Sequence, residues 1–428
     1  MTTRFRFLFV CSLLIHFSFA SAQYDGVRFD NHVYVDHIRS VKFHLAGLFL
    51  SLPLIDLNSA APLTLGFDDL EGGVKNYVYD IVHCDADWQP SQLGSMEYLD
   101  GFSGEPVRDY RFSYKTIAAY THYYLELPNR DLRWTVSGNY LLVVYEDDGA
   151  RRPVISRRFM VVDPRVKILP QLVRPAQVGK FDTHHEIDFL VDHEKLDIRT
   201  PLSEISAVVL QNGRWDNAAT DIPPAFIRVR SLMFDHQDKI VFPAGKEFRF
   251  LDIRSLRNRS QNIAAIDLFK DRTEVILFKD EKRFTQSYFF VEDIDGNFII
   301  ETFEGGNPDL ASDYAYVLFS LYSPQPYDGY DVYLVGAMTD WELKPEFKMT
   351  YNESVNGYVA KPLLKQGFYN YAYAAVPKTG NPAAIDLSEI EGDWHETENE
   401  YTILVYYRPF GSRYDQLIGA RTFSSNPR

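Results

Sequence analysis

Cysteine is nearly missing from this chain: of 428 residues, only Cys11 and Cys84 carry a thiol. A disulfide scaffold is thereby excluded, and so is a multi-cysteine zinc site. Positive charge is also scarce. Lys and Arg number 44 against 59 Asp and Glu, a net charge of −15, which argues against nucleic acid or anionic lipid as the main partner. After residue 22 no apolar run reaches 18 residues, so no transmembrane helix is expected. No stretch holds a long helical period, and neither a Walker loop nor a dinucleotide fingerprint occurs. What is abundant is aromatic: 28 Tyr and 31 Phe, in a chain 46% hydrophobic and 24% charged, which is the composition of a folded protein.

The first residues read as an export signal. Arg4 and Arg6 precede the apolar run Phe7–Phe19, and Ala20-Ser21-Ala22 offers small residues for cleavage before Gln23. The run is short of the roughly 20 residues that cross a bilayer, which weighs against an anchor. Bulky Val10 ahead of Cys11 weighs against a lipoprotein. Removing Met1–Ala22 takes away Cys11 and two Arg, so the mature net charge becomes −17 and Cys84 stands alone. Cys84 closes the run Val78–Val82 and is expected to be a buried, inert thiol.

Strand signals dominate the rest. Tyr77–Cys84, Tyr120–Leu127, Gly138–Tyr145, Ser287–Val291, Phe298–Thr302, Ala315–Tyr322 and Tyr401–Tyr407 are short runs rich in aromatic and β-branched residues. In Tyr120–Leu127 the residues Thr121, Tyr123, Leu125 and Leu127 alternate with Tyr120, His122, Tyr124 and Glu126, which predicts one face on a core and one in water. The expected fold is all-β, made of tandem immunoglobulin-like β-sandwiches. Pro164, Pro170 and Pro175 mark an extended linker, and Gly305-Gly306-Asn307-Pro308 marks a second break. The expected division is a signal peptide at 1–22 and domains at 23–165, 166–305 and 306–428. An outer-membrane barrel fits less well, because its strands run to roughly ten residues and most of these are shorter.

The search for chemistry is negative. Asp293, Asp295 and Asn297 mimic the start of an EF-hand loop, but Phe298 stands where the sharp turn needs Gly. An Asp-Gly hairpin turn joining Ser287–Val291 to Phe298–Thr302 is the better reading. His184-His185-Glu186 lacks the second His that a zincin helix needs, and a loose grouping with His193 reads as a solvated surface. Asp85 and Asp87 could pair as glycosidase acids, yet their place before Trp88 and Pro90 favours a turn. Gly101-Phe102-Ser103-Gly104-Glu105 falls one Gly short of a nucleophile elbow. No catalytic, metal or cofactor site is expected.

Several peptides in the expected order resemble the plug proteins of the bacterial type IX secretion system. They are Tyr79-Asp80-Ile81-Val82-His83-Cys84-Asp85-Ala86-Asp87-Trp88, Pro90-Ser91 and Glu97-Tyr98-Leu99-Asp100-Gly101-Phe102. Then come Tyr120-Thr121-His122-Tyr123, Leu127-Pro128-Asn129, Ser137-Gly138-Asn139-Tyr140 and Arg157-Arg158-Phe159. Later pieces are Gly213-Arg214-Trp215-Asp216-Asn217, Ala244-Gly245-Lys246-Glu247-Phe248-Arg249, Glu398-Asn399-Glu400-Tyr401 and Val405-Tyr406-Tyr407-Arg408. Trp215 and Lys246 depart from the family pattern, which has Phe and Asn there. The resemblance implies a non-enzymatic periplasmic protein. Its partner is the large outer-membrane translocon β-barrel, whose periplasmic mouth it closes when no cargo or surface partner occupies the pore. The motif residues His83, Cys84, Asp85, Asp87, Trp88, Tyr98, Asn139 and Arg249 read first as structural, with Arg249 and Asp252 expected to pair across a domain joint.

The last third also resembles an early-set immunoglobulin-like module of the glycogen-binding type. Tyr333-Leu334-Val335-Gly336, Trp341, Met349-Thr350, Gly357-Tyr358 and Gly367-Phe368-Tyr369-Asn370-Tyr371 carry this likeness. Sugar-binding members stack a ligand on the Trp341 position with a second Trp nearby; Lys378-Thr379-Gly380-Asn381-Pro382 supplies none. Trp341 is therefore expected to pack rather than to bind glycan, and glycan binding is the lesser alternative. A Tyr-rich set, Tyr314, Tyr316, Tyr322, Tyr327, Tyr330 and Tyr333, suits a wet, reversible interface. Tyr327, Tyr330 and Trp341 are the candidate partner contacts.

Overall fold

The computed structural model describes residues 24, 26–379 and 384–426. The expected signal peptide at 1–22, Cys11, Gly380-Asn381-Pro382 and Pro427-Arg428 lie outside them. Among the described residues the α-helical segments are three four-residue turns: Ser95–Tyr98, Pro201–Glu204 and Pro308–Ala311. No helix there is long and apolar enough to cross a membrane. The fold is all-β and built of packed sandwiches, as the alternating aromatic and β-branched runs require.

Four sheets stack in succession. Sheet I orders Ile38–Leu45, Leu63–Asp69, Thr121–Leu127 and Asp109–Phe112. Sheet II centres on Gly138–Glu146, flanked by Arg152–Val162 and Tyr77–Cys84. Sheet III orders Ala219–Ile222, Ile205–Gln211, Glu400–Tyr407 and Gln416–Ser424, and sheet IV centres on His184–Asp192. One core lies between sheets I and II, a second between II and III, and a third between III and IV. Sheets I and II form the first lobe; sheets III and IV form the second.

The middle strands explain why the lobes do not part. In Gly138–Glu146, Tyr140, Leu142 and Val144 face sheet I, while Leu141, Val143 and Tyr145 face sheet III. In Ile205–Gln211 the odd positions Ile205, Ala207 and Val209 face sheet IV, and Val208 and Leu210 face sheet II. A side chain such as Leu141 or Leu210 contributes about 1.5–3 kcal/mol by full burial. Neither strand has a wet face, because each is sandwiched on both sides.

The third lobe is a ten-stranded sheet folded around its own core. Its order runs Arg249–Asp252, Gly367–Pro377, Tyr330–Val335, Lys348–Asn352, Gly357–Ala360, Tyr314–Tyr322, Thr273–Leu277 and Ile263–Leu268. Here hydrogen bonding overrides chain order. Arg249–Asp252, Ile263–Leu268 and Thr273–Leu277 precede residue 305 yet belong to this lobe. Glu400–Tyr407 follows it yet pairs with Ile205–Gln211 in the second lobe. Gly305-Gly306-Asn307-Pro308 is thus a loop inside one sheet system, not a seam between domains.

Ser287–Val291, expected as a strand, is irregular. Phe298–Ile300 pairs with the distant Gly367–Tyr369 instead of with it. The Asp295-Gly296 turn does form, with both residues at positive φ (53° and 76°) and Asn297 N–H donating to the Ile294 carbonyl. No EF-hand helix flanks it.

Candidate functional site

The motif residues converge on the seams between lobes. At the first–second seam, Arg158 lies 4.5 Å from the Trp88 ring and 5.2 Å from Trp215, and the two indoles meet edge to face at 4.9 Å. Trp88 is buried in a left-handed turn, φ 65°. Asn139, fully buried, donates to the Asp85 carbonyl and accepts from the Tyr406 hydroxyl at 2.8 Å. The Asp85 carboxylate accepts from the Asp415 N–H and from Arg408, which also reaches Asp415. Burial and the adjacent Asp415 raise the pKa of Asp85 despite Arg408.

Asp87 accepts from the N–H of Gln89, so it builds a turn. Asp85 and Asp87 are thus engaged separately. Cys84 is fully buried between sheets II and III, and burial pushes its thiol well above the usual range. His83 hydrogen-bonds Ser91 and the Ser137 carbonyl, packs on Tyr98, Tyr140 and Tyr414, and is held down to about 4 by burial. Gly138 makes that packing feasible: at φ 146°, a Cβ there would stand 2.4 Å from His83 Nε2. The Tyr98 hydroxyl donates to the Ile81 carbonyl.

At the first–third seam sits a buried ionic node that no local pattern announces. Asp68 Oδ2 receives Lys365 Nζ at 2.6 Å and the Tyr314 hydroxyl at 2.6 Å; Asp68 Oδ1 contacts His122 Nδ1 at 2.7 Å. Burial alone would raise the pKa of Asp68, but Lys365 and His122 outweigh it and hold the carboxyl below its ordinary value. Tyr120 and His122, expected to be wet, are buried here because the third lobe covers them. Beside the node, Asp313 accepts the N–H groups of Ile117 and Ala118.

The second–third seam uses Gly213-Arg214-Trp215-Asp216. Arg214 lies 4.2 Å from the Trp341 ring, pairs with Asp216 at 2.6 Å and donates to the Ile385 carbonyl. Trp341 also meets Phe248 edge to face at 5.8 Å and covers Gly296. Arg214 and Phe248 thus contact the Trp341 ring, which is otherwise partly exposed. Arg249 does not pair with Asp252, since residues three apart on a strand point to opposite sides. It joins Glu391 at 3.0 Å and Asp280 at 2.9 Å, while Asp252 pairs with Arg254. His185, read above as solvated, is buried against Tyr401 and the His395 carbonyl.

Of the candidate contacts, Tyr330 is 41% exposed, and Tyr327 is half-buried and stacked on Tyr358 at 5.7 Å. They share a turn, whereas Trp341 lies apart from them in the seam. Residues missed in the sequence include Leu48, Phe49 and Leu50, a contiguous exposed apolar stretch. Its signal was present as a run of large apolar residues directly after a strand.

A model for the first domain of the type 9 secretion system plug protein matches residues 38–163, which lie within sheets I and II and their connections. A search among curated proteins finds no match. Among solved structures, the crystal structure of a hypothetical protein from Parabacteroides merdae ATCC 43184, at 2.30 Å resolution, is similar. It is 34% identical, with a TM-score of 0.89 over 93% of this chain and 100% of that one. Residues 38–163, in the lobe that carries His83 to Trp88, thus form a first domain of the type 9 secretion system plug protein family.

Proposed function

We propose that the protein is a non-enzymatic stopper. It would seat in the periplasmic opening of the type IX outer-membrane translocon barrel when neither cargo nor a surface partner fills the pore. The observation that carries this reading is the clamping of every lobe to both others by buried groups: Trp88–Arg158–Trp215, Asp68–Lys365 and Arg214–Trp341. A stopper for a wide pore has to resist deformation, and buried ion pairs, hydrogen bonds and aromatic contacts across the seams supply that resistance. Release has to remain feasible, which favours a polar rim with a few aromatic anchors over a large greasy face. Tyr327 and Tyr330 are of that kind, and the protein would work in the periplasm, held at the outer membrane through its barrel.

The test is deletion of the gene in a strain whose barrel is otherwise open. Entry of large antibiotics should rise and be reversed by the mature protein. Unchanged entry, with the chain also absent from translocons purified in mild detergent, would refute the stopper role.

A further inference from the structure

Three carboxylates meet on the outer face of sheet IV. Glu186 and Asp188 stand two apart on His184–Asp192, so both point away from the core filled by Ile187 and Phe189. Asp235 follows directly on Ser231–Phe234, and the pairing of Phe189 with Phe234 brings it opposite Asp188. One carboxylate oxygen from each residue lies within 4.8 Å of the other two. Glu186 is only 3% exposed, and its Oε2 has no hydrogen-bond partner; the buried Oδ1 of Asp188 has none either.

The Ala176 N–H hydrogen-bonds Glu186, but among the described residues no Lys, Arg or His forms an ion pair with the trio. The charges that bear on Asp188 are those of Asp235 and Glu186, both negative, and together with burial they push it up to about 6. Like charges facing each other on a sheet weaken it. Among the described residues a second such grouping, His37 with Asp69 and Glu71, differs on this point: Lys75 sits 3.2 Å from Asp69 and also bridges to Glu71. That grouping already has its cation.

We propose that Glu186, Asp188 and Asp235 form a calcium site that ties His184–Asp192 to the segment following Ser231–Phe234. The donors are all carboxylate oxygens, which suit a hard cation and not zinc. Calcium–oxygen bonds of about 2.3–2.6 Å place opposite ligands about 4.6–5.2 Å apart, so three oxygens within 4.8 Å of one another fit around one such ion. Water completes the shell. This site is independent of the stopper reading.

The experiment uses the mature protein, stripped of metal, with calcium chloride alone as the probe. Calcium at millimolar concentration should raise the melting temperature by about 2 °C or more, and titration calorimetry should show one site. In the Glu186→Gln/Asp188→Asn variant both responses should vanish. The metal-free variant should melt no lower than metal-free wild type, because the substitutions relieve repulsion; that result also certifies its folding. No calcium response in the wild type, an equal response in the variant, or a variant that melts well below metal-free wild type would each overturn the site.

Discussion

Lys365 and Asp68 are 297 positions apart in the chain and 2.6 Å apart in the fold, with side chains 1% and 0% exposed. The pair joins the third lobe to the first, and its remaining valences are used. Lys365 also donates to the Asp309 carbonyl at 2.7 Å and lies 4.2 Å from the Tyr120 ring. Tyr120 in turn donates to the Ser312 carbonyl. Removing Lys365 leaves the buried Asp68 carboxylate with His122 and the Tyr314 hydroxyl but without its full positive charge. Lys365→Met should therefore cost about 3–5 kcal/mol. A Lys365→Met/Asp68→Leu double variant should recover a large part of that loss, because no charge is left uncompensated. Urea unfolding of the three proteins checks this; a double variant as weak as the single one would show that packing, not the charge, sets the cost.

Cys84 reports on the neighbouring seam. Its thiol is buried between sheets II and III beside Trp88, so it should react with an aromatic disulfide reagent only after the native protein opens. Trp88→Ala removes the ring that Trp215 and Arg158 pack against and should destabilise by about 3–5 kcal/mol. Labelling of Cys84 should then accelerate by at least tenfold under native conditions. Fast labelling of the wild-type thiol would contradict the burial.

Much of this architecture was legible in the residues. Tyr77–Cys84 forms the strand expected, and Gly138–Tyr145 and Tyr401–Tyr407 extend by one residue. The run Leu141-Leu142-Val143-Val144 carries no polar alternation, and the structure buries it on both faces. The motif peptides also foretold importance, and structure explains it: Asp85, Trp88, Asn139, Arg214 and Trp215 are seam residues. What could not be read was partnership at long range. Nothing near Asp68 points to Lys365, and nothing near Gly305 says that strands on either side of it share a sheet. Ser287–Val291 had strand composition but forms no strand, and Phe298–Ile300 pairs with residues some 70 positions away.

Two of the aromatic contacts proposed from the sequence, Tyr330 and Trp341, should separate by their responses. Tyr330→Ala touches an exposed ring and should shift stability by less than about 0.5 kcal/mol, while weakening recovery of the translocon with the tagged protein. Trp341→Ala removes the surface under Arg214 and should destabilise by roughly 2 kcal/mol through lost cation–π and packing contacts. Melting curves and co-purification together distinguish the two. A large melting change for Tyr330→Ala would remove it from the rim.

Acidity should act through the carboxyls clustered where the second and third lobes meet. Burial pushes Asp295 up to about 8, aided by Glu398, Asp293 and Glu400, and pushes Glu247 up to about 7. A carboxyl whose folded pKa exceeds its unfolded value favours the fold while protonated, and that contribution fades as pH rises through the folded value. His83 and His185 work oppositely: burial holds both down to about 4, so their contribution is complete above about 6.5, their unfolded value. Lys42, held down to about 8 by burial, contributes only at higher pH. Between about 6.5 and 8, then, Asp295 and Glu247 dominate and stability should fall. Melting temperature should decline from pH 6.5 toward pH 8, and Asp295→Asn should flatten the decline. A profile that rises from pH 6.5 to 8, or a decline unaffected by Asp295→Asn, would show that these carboxyls do not govern the seam.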